Sequence, residues 1–118
     1  MASRREYQQE DQRLRIMRLL KEDPELSTRK IAAAVGISNG SAYYVLTALI
    51  EKGFVKLERF RNNPRKGQYA YLLTPKGIRE KSLLAHSFII RKRQEFNDLR
   101  IEIALLEKEV GLTSDAPK

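Results

Sequence analysis

A chain of 118 residues, 42% hydrophobic and 32% charged, has globular composition and length for one domain, but is too short for two independent cores. It has no cysteine, which excludes disulfides, zinc ribbons and thiol redox sensing, and its single histidine, His86, leaves no nitrogen-rich metal cluster. The net charge of +8 is concentrated: residues 1–26 cancel, residues 27–53 carry three basic against one acidic side chain, residues 54–77 six against one, and residues 78–118 eight against seven. A polyanion is the economical partner for such a central excess.

Residues 1–10 are polar and read as a flexible N-terminus. They contain no apolar core of a leader, and no later run has the length of a membrane span, so the expectation is a soluble cytoplasmic protein with no membrane partner. A first helix is predicted from about Asp11 to Glu22, with Leu14, Ile16, Met17, Leu19 and Leu20 as its apolar face and Pro24 as its stop. The stretch that follows, TRKIAAAVGISNGSAYYVLT (28–47), reads as a helix-turn-helix. Its first helix runs from Thr28 to Val35 with Ile31, Ala32 and Val35 inward, and Ala32 keeps the crossing close. Gly36 sits where a positive φ is wanted, and Ile37 plugs the corner. The second helix runs from Asn39 to Lys52 with Ala42, Val45, Leu46, Leu49 and Ile50 inward. Ser27 and Ser38 stand as N-caps.

After Gly53, the segments FVKLERF (54–60) and QYAYLLT (68–74) flank the turn composition RNNPRKG and read as a β-hairpin, the wing. Arg59, Arg61, Arg65 and Lys66 gather at its end with no acidic neighbour there, a basic finger suited to phosphates or the minor groove; the alternative is a solvated loop. Thr74 then caps a long helix with Pro75 at its first position, and no breaker follows until Gly111. From Pro75 to Glu109 is 35 residues, roughly 50 Å at about 1.5 Å per residue. Ile89, Phe96, Leu99, Ile103, Leu106 and Val110 recur along it in steps of three and four, with Lys92 interrupting, which is a coiled-coil seam. A second copy is its expected lid, at roughly 25 cal/mol per Å² of apolar surface buried. The alternative is a helix folded back on the first one. The division is thus 11–74 for a DNA-binding domain, 75–110 for a dimerisation helix and 111–118 for a disordered tail. The fold class is mainly α with a small β-hairpin.

The order of elements, with ALIEKGFVK (48–56) joining recognition helix to wing and YLLTPKG (71–77) joining wing to long helix, resembles the MarR family of bacterial transcriptional regulators. More narrowly, ELSTRKIAAAVGIS (25–38), ALIEKGFVK and YAYLLTPKG look like the small branch described as EPS-associated, found with exopolysaccharide biosynthesis genes. The resemblance implies a homodimeric regulator of transcription. This chain departs from it in a short N-terminal part, which leaves dimerisation to one C-terminal helix, in a shorter wing that lacks the family's acidic residue and arginine at the tip, and in having no residue that marks the usual ligand pocket.

The reading that follows is a homodimer presenting two recognition helices to successive major grooves of a pseudo-palindromic site, with half-sites about 10 bp apart. Ser38, Asn39, Ser41, Tyr43, Tyr44 and Thr47 are the candidates on the recognition helix. Asn39 suits bidentate pairing with adenine, and either tyrosine suits a phosphate or a thymine methyl, one of the two alternatively packing on the wing. Ser27, Thr28, Arg29 and Lys30, with the wing cations Arg59, Arg61, Arg65 and Lys66, would bind phosphates. Repression follows if the dimer covers a promoter. No cofactor, metal or catalytic residue is expected: His86 has no partner, and no nucleophile–base arrangement stands out. The rival readings are a winged-helix protein-interaction module and a nonspecific architectural DNA binder.

Overall fold

The structure is a computed structural model that describes residues 3–59 and 69–112. Its elements are α1 (Arg4–Glu22), α2 (Thr28–Val35), α3 (Asn39–Glu51), β1 (Val55–Arg59), β2 (Tyr69–Leu73) and α4 (Pro75–Glu109). This is a winged helix-turn-helix followed by a long C-terminal helix, and the fold is mainly helical as the sequence predicts. The chain divides into two compact units, Met1–Ala85 and His86–Lys118. No single helix among the described residues is long and apolar enough to cross a membrane.

The first unit is built around one apolar core. Leu14, Ile16, Met17 and Leu20 of α1 meet Ile31 and Ala32 of α2 and Ala42, Leu46 and Leu49 of α3, and Val55, Ala70 and Leu84 close it from the hairpin and α4. One predicted boundary is corrected: α1 starts at Arg4, seven residues before the expected Asp11. The cause is a cap, since Ser3 Oγ accepts from the Glu6 N–H at 3.2 Å, and the Ser-x-x-Glu spacing is that of a capping box. The first turns carry no apolar periodicity, so a reading based on that pattern starts the helix late.

The corner between α2 and α3 turns the chain through 108°. Gly36 ends α2 at φ +81°, and the Ile37 N–H reaches back to the Ala32 carbonyl at 3.0 Å, the long bond of a Schellman motif. β1 and β2 pair antiparallel with Leu57 opposite Tyr71 and Arg59 opposite Tyr69. Only Val55 of β1 is buried, so the strand leaves the core after its first residue.

The base of the hairpin is locked. Thr74 Oγ1 donates to the Gly53 carbonyl at 2.6 Å and accepts from the Gly77 N–H at 2.9 Å, which caps α4 and ties it to the end of α3 with one hydroxyl. The Thr74 N–H donates to the Phe54 carbonyl at 3.0 Å. Lys76 Nζ donates to the Lys52 carbonyl at 2.9 Å and lies 5.2 Å from the Phe54 ring centroid. Gly77 is buried here, and only glycine fits because a Cβ at that position would overlap the Phe54 carbonyl oxygen.

In the second unit α4 continues unbroken to Glu109, and Gly111 at φ +80° ends it. The apolar residues of the predicted seam are exposed: Phe96 60%, Leu99 53%, Ile103 47% and Leu106 53%. The basic wing end, Arg61, Arg65 and Lys66, lies outside the described residues, as does the predicted disordered tail from residue 113.

Two substitutions test the lock at the hairpin base. Gly77→Ala forces backbone apart and should destabilise by about 3 kcal/mol in urea unfolding, whereas Gly40→Ala, whose Cβ meets nothing nearer than Ser38 Oγ at 4.0 Å, should cost nothing. Equal midpoints for the two would remove the close approach as an explanation. Thr74→Val should lose about 1 to 2 kcal/mol, and Thr74→Ser, which keeps the hydroxyl, should stay near wild type.

Candidate nucleic-acid interface

The candidate surface begins at the N-terminus of α3. Ser38 Oγ accepts from the Ser41 N–H at 3.0 Å and donates to Ser41 Oγ at 2.9 Å, so both serines hold the helix start. Asn39 and Gly40 are exposed in the same first turn. With Ala42, Leu46 and Leu49 in the core, the rotation of about 100° per residue turns Gly40, Tyr44 and Thr47 to the opposite face. Tyr43 and Tyr44 are 65% and 76% exposed, so neither is covered by the described part of the hairpin. Thr47 is half-buried at the edge. The result is a face with amide, hydroxyl and phenol groups on a helix whose other side is fully packed.

A second helix start lies in the same unit. Ser27 Oγ accepts from the Lys30 N–H at 3.2 Å, and Arg29 and Lys30 are exposed beside it. Thr28 Oγ1 is 3.0 Å from the Tyr71 hydroxyl, which ties α2 to β2. The Tyr71 N–H also donates to the Pro24 carbonyl at 3.0 Å. Thr28 therefore positions the hairpin, and only part of its hydrogen-bonding capacity is left for a ligand. Arg59 is exposed at the end of β1, opposite the exposed Tyr69. The remaining wing candidates, Arg61, Arg65 and Lys66, are outside the described residues.

Two features escape the sequence reading. The Thr28–Tyr71 pair joins residues 43 positions apart, and no local pattern announces it. A groove of about 580 Å³ also runs beside the α3 face, with Gln9, Gln12 and Arg13 of α1 on one wall and Ser41, Tyr44 and Val45 on the other. Its signal is present in the sequence as Gln9, Gln12 and Arg13, polar residues three and four apart and so on one helix face. The predicted dimerisation residues Ile89, Phe96, Leu99, Ile103 and Leu106 lie on α4, Val110 directly follows its end, and all six are exposed.

Residues 9–56 match the family described as winged helix-turn-helix DNA-binding. No curated protein sequence is significantly similar to the chain. Among solved structures, a MarR/EmrR family transcriptional regulator from Acinetobacter sp. ADP1 is 22% identical with a TM-score of 0.60, over 84% of this chain and 74% of that one. Wild-type MarR in its apo form from E. coli is 17% identical with a TM-score of 0.62, over 84% and 73%. The transcriptional repressor CouR, bound to a 23-mer DNA duplex, is 21% identical with a TM-score of 0.60, over 83% and 69%. At these identities the likeness is one of fold. Residues 9–56 thus resemble the winged helix-turn-helix DNA-binding family, and the chain shares its fold with MarR-family regulators.

Proposed function

We propose that this chain is a MarR-type transcriptional regulator, not an enzyme, that binds double-stranded DNA sequence-specifically as a homodimer on a pseudo-palindromic operator. The observation that carries the reading is the exposed face of α3, with Asn39, Tyr43 and Tyr44 presented from a helix whose start is fastened by Ser38. A purely electrostatic binder has little use for such groups, because phosphates carry no sequence information. A protein-interaction module would not need the cationic excess of residues 27–77 on the same domain. The CouR structure, a repressor on a duplex with this fold, supports the same reading.

In this reading the first turns of α3 enter the major groove, with Asn39 pairing bidentately with adenine and Tyr43, Tyr44 and Thr47 contacting thymine methyl groups or phosphates. Ser27, Thr28, Arg29 and Lys30 hold one phosphate run, and Arg59, Arg61, Arg65 and Lys66 hold another. The dimer forms through the α4 seam and represses by covering a promoter. The ELSTRKIAAAVGIS and YAYLLTPKG motifs support a place in the EPS-associated branch, so exopolysaccharide genes are the proposed targets. The protein works at the nucleoid in the cytoplasm and needs no cofactor for reading DNA.

Selection from a random duplex pool should enrich an inverted repeat, and the winner should bind far tighter than scrambled DNA at two salt concentrations. Salt-sensitive binding to every sequence alike would leave the architectural reading instead. Asn39→Ala should weaken the selected site by roughly 1 to 3 kcal/mol and leave nonspecific binding nearly intact. Arg65→Ala should weaken all sequences together and lower the salt slope by about one. Leu99→Asp combined with Ile103→Asp should give monomers in light scattering.

A further inference from the structure

We propose that two copies of α4 pair parallel and in register over residues 89–110, which brings both C-termini to the same end of the pair. The inference rests on the homodimer reading above and adds its orientation and register. The helix is continuous to Glu109, one residue short of the end of this span, so the spacing of its apolar residues determines which positions face the partner. Phe96, Leu99 and Ile103 are separated by three and four, which sets Ile89, Phe96, Ile103 and Val110 in one type of core position and Leu99 and Leu106 in the other. Three of the four residues at the first position are β-branched, Phe96 being the exception, and β-branched residues there with leucine at the second favour parallel two-stranded packing.

The flanks agree. One side of the seam carries Glu95, Glu102 and Glu109, and the other carries Arg93, Arg100 and Glu107. Parallel pairing sets the first row against the second row of the partner, with Glu95 opposite Arg100 and Glu102 opposite Glu107, so that attraction offsets repulsion. Antiparallel pairing sets each row against itself, so that every pair along the acidic flank is repulsive and only Arg93 against Glu107 is attractive. These exposed charges bias orientation more than they add affinity.

Register follows from Lys92, which occupies a core position of the leucine type and holds Glu95 of its own helix at 3.1 Å. In-register pairing collects the two lysines in one layer, each with its carboxylate. A shift by one heptad sets one lysine against Leu99 and the other against Ala85, and leaves each charge facing apolar surface. A second exposed apolar row, Ile90, Ile101 and Leu105, lies on the far side of α4. Gln94 and Lys108 interrupt it, with Gln94 Nε2 donating to Asp98 Oδ1 at 3.0 Å, so it offers no continuous seam.

Because the chain has no cysteine, single substitutions report the arrangement without background. Ile89→Cys alone and Leu106→Cys alone should each form covalent dimers under mild oxidation or with a short bismaleimide. A mixture that links while neither variant links by itself would establish antiparallel pairing and overturn the proposal. Glu95→Cys and Arg100→Cys leave the apolar seam intact and give the second reading: their mixture should link, and Glu95→Cys alone should not. A dimer by light scattering with none of these links would move the interface elsewhere and also overturn it. A monomeric wild-type chain would instead remove the homodimer reading itself.

Discussion

The architecture of the winged helix-turn-helix unit depends on one hydroxyl. Thr74 Oγ1 donates to the carbonyl of Gly53 and accepts from the N–H of Gly77, so the end of α3 and the start of α4 share a single bonding group. Each bond is worth about 1 kcal/mol net, yet their placement matters more than their sum. The hairpin leaves at Val55 and returns at Leu73, so a joint between residues 53 and 74 closes its base. Lys76 over Phe54 and the close approach of Gly77 to the Phe54 carbonyl leave this joint no room to slide. A hairpin with only one buried residue in its first strand draws its placement from this joint rather than from its own packing.

A second tie works from the other side. The Thr28–Tyr71 hydroxyl pair and the Tyr71 N–H to Pro24 fasten β2 to the start of α2. The hairpin is thereby held at its base by α3 and α4 and along its second strand by α2. The exposed cations Arg29 and Lys30 and the exposed Arg59 consequently belong to one hydrogen-bonded frame with the α3 face. In the proposed reading, groups tied together in this way lose less entropy on binding and keep phosphate contacts in register with base contacts.

The α4 seam poses the complementary problem. Its apolar residues are about half exposed or more, and α4 in this unit has no core of its own. The local bonds it makes, such as Lys92 to Glu95 and Gln94 to Asp98, stabilise the helix surface without covering that seam. Two-fold pairing of such helices matches the two-fold symmetry of an inverted repeat, which links an interface chemistry to the form of the proposed operator.

Much of this was legible in the residues themselves. Ser27 and Ser38 as caps, Gly36 at the turn and Thr74-Pro75 at the start of a helix ending near Gly111 are local signals, because a cap or a positive φ is satisfied within a few residues. The same locality explains the late predicted start of α1, where a capping box stood before any apolar pattern. What only the tertiary structure decided involves residues far apart in the chain. Gly77 reads as one residue of a helix start until the Phe54 carbonyl is seen against it, and Thr28 reads as a phosphate contact until the Tyr71 hydroxyl is seen beside it. Periodicity reports which face of an element is apolar. Which backbone comes close enough to exclude a side chain, and which hydroxyl is already engaged, depends on how the elements pack in three dimensions.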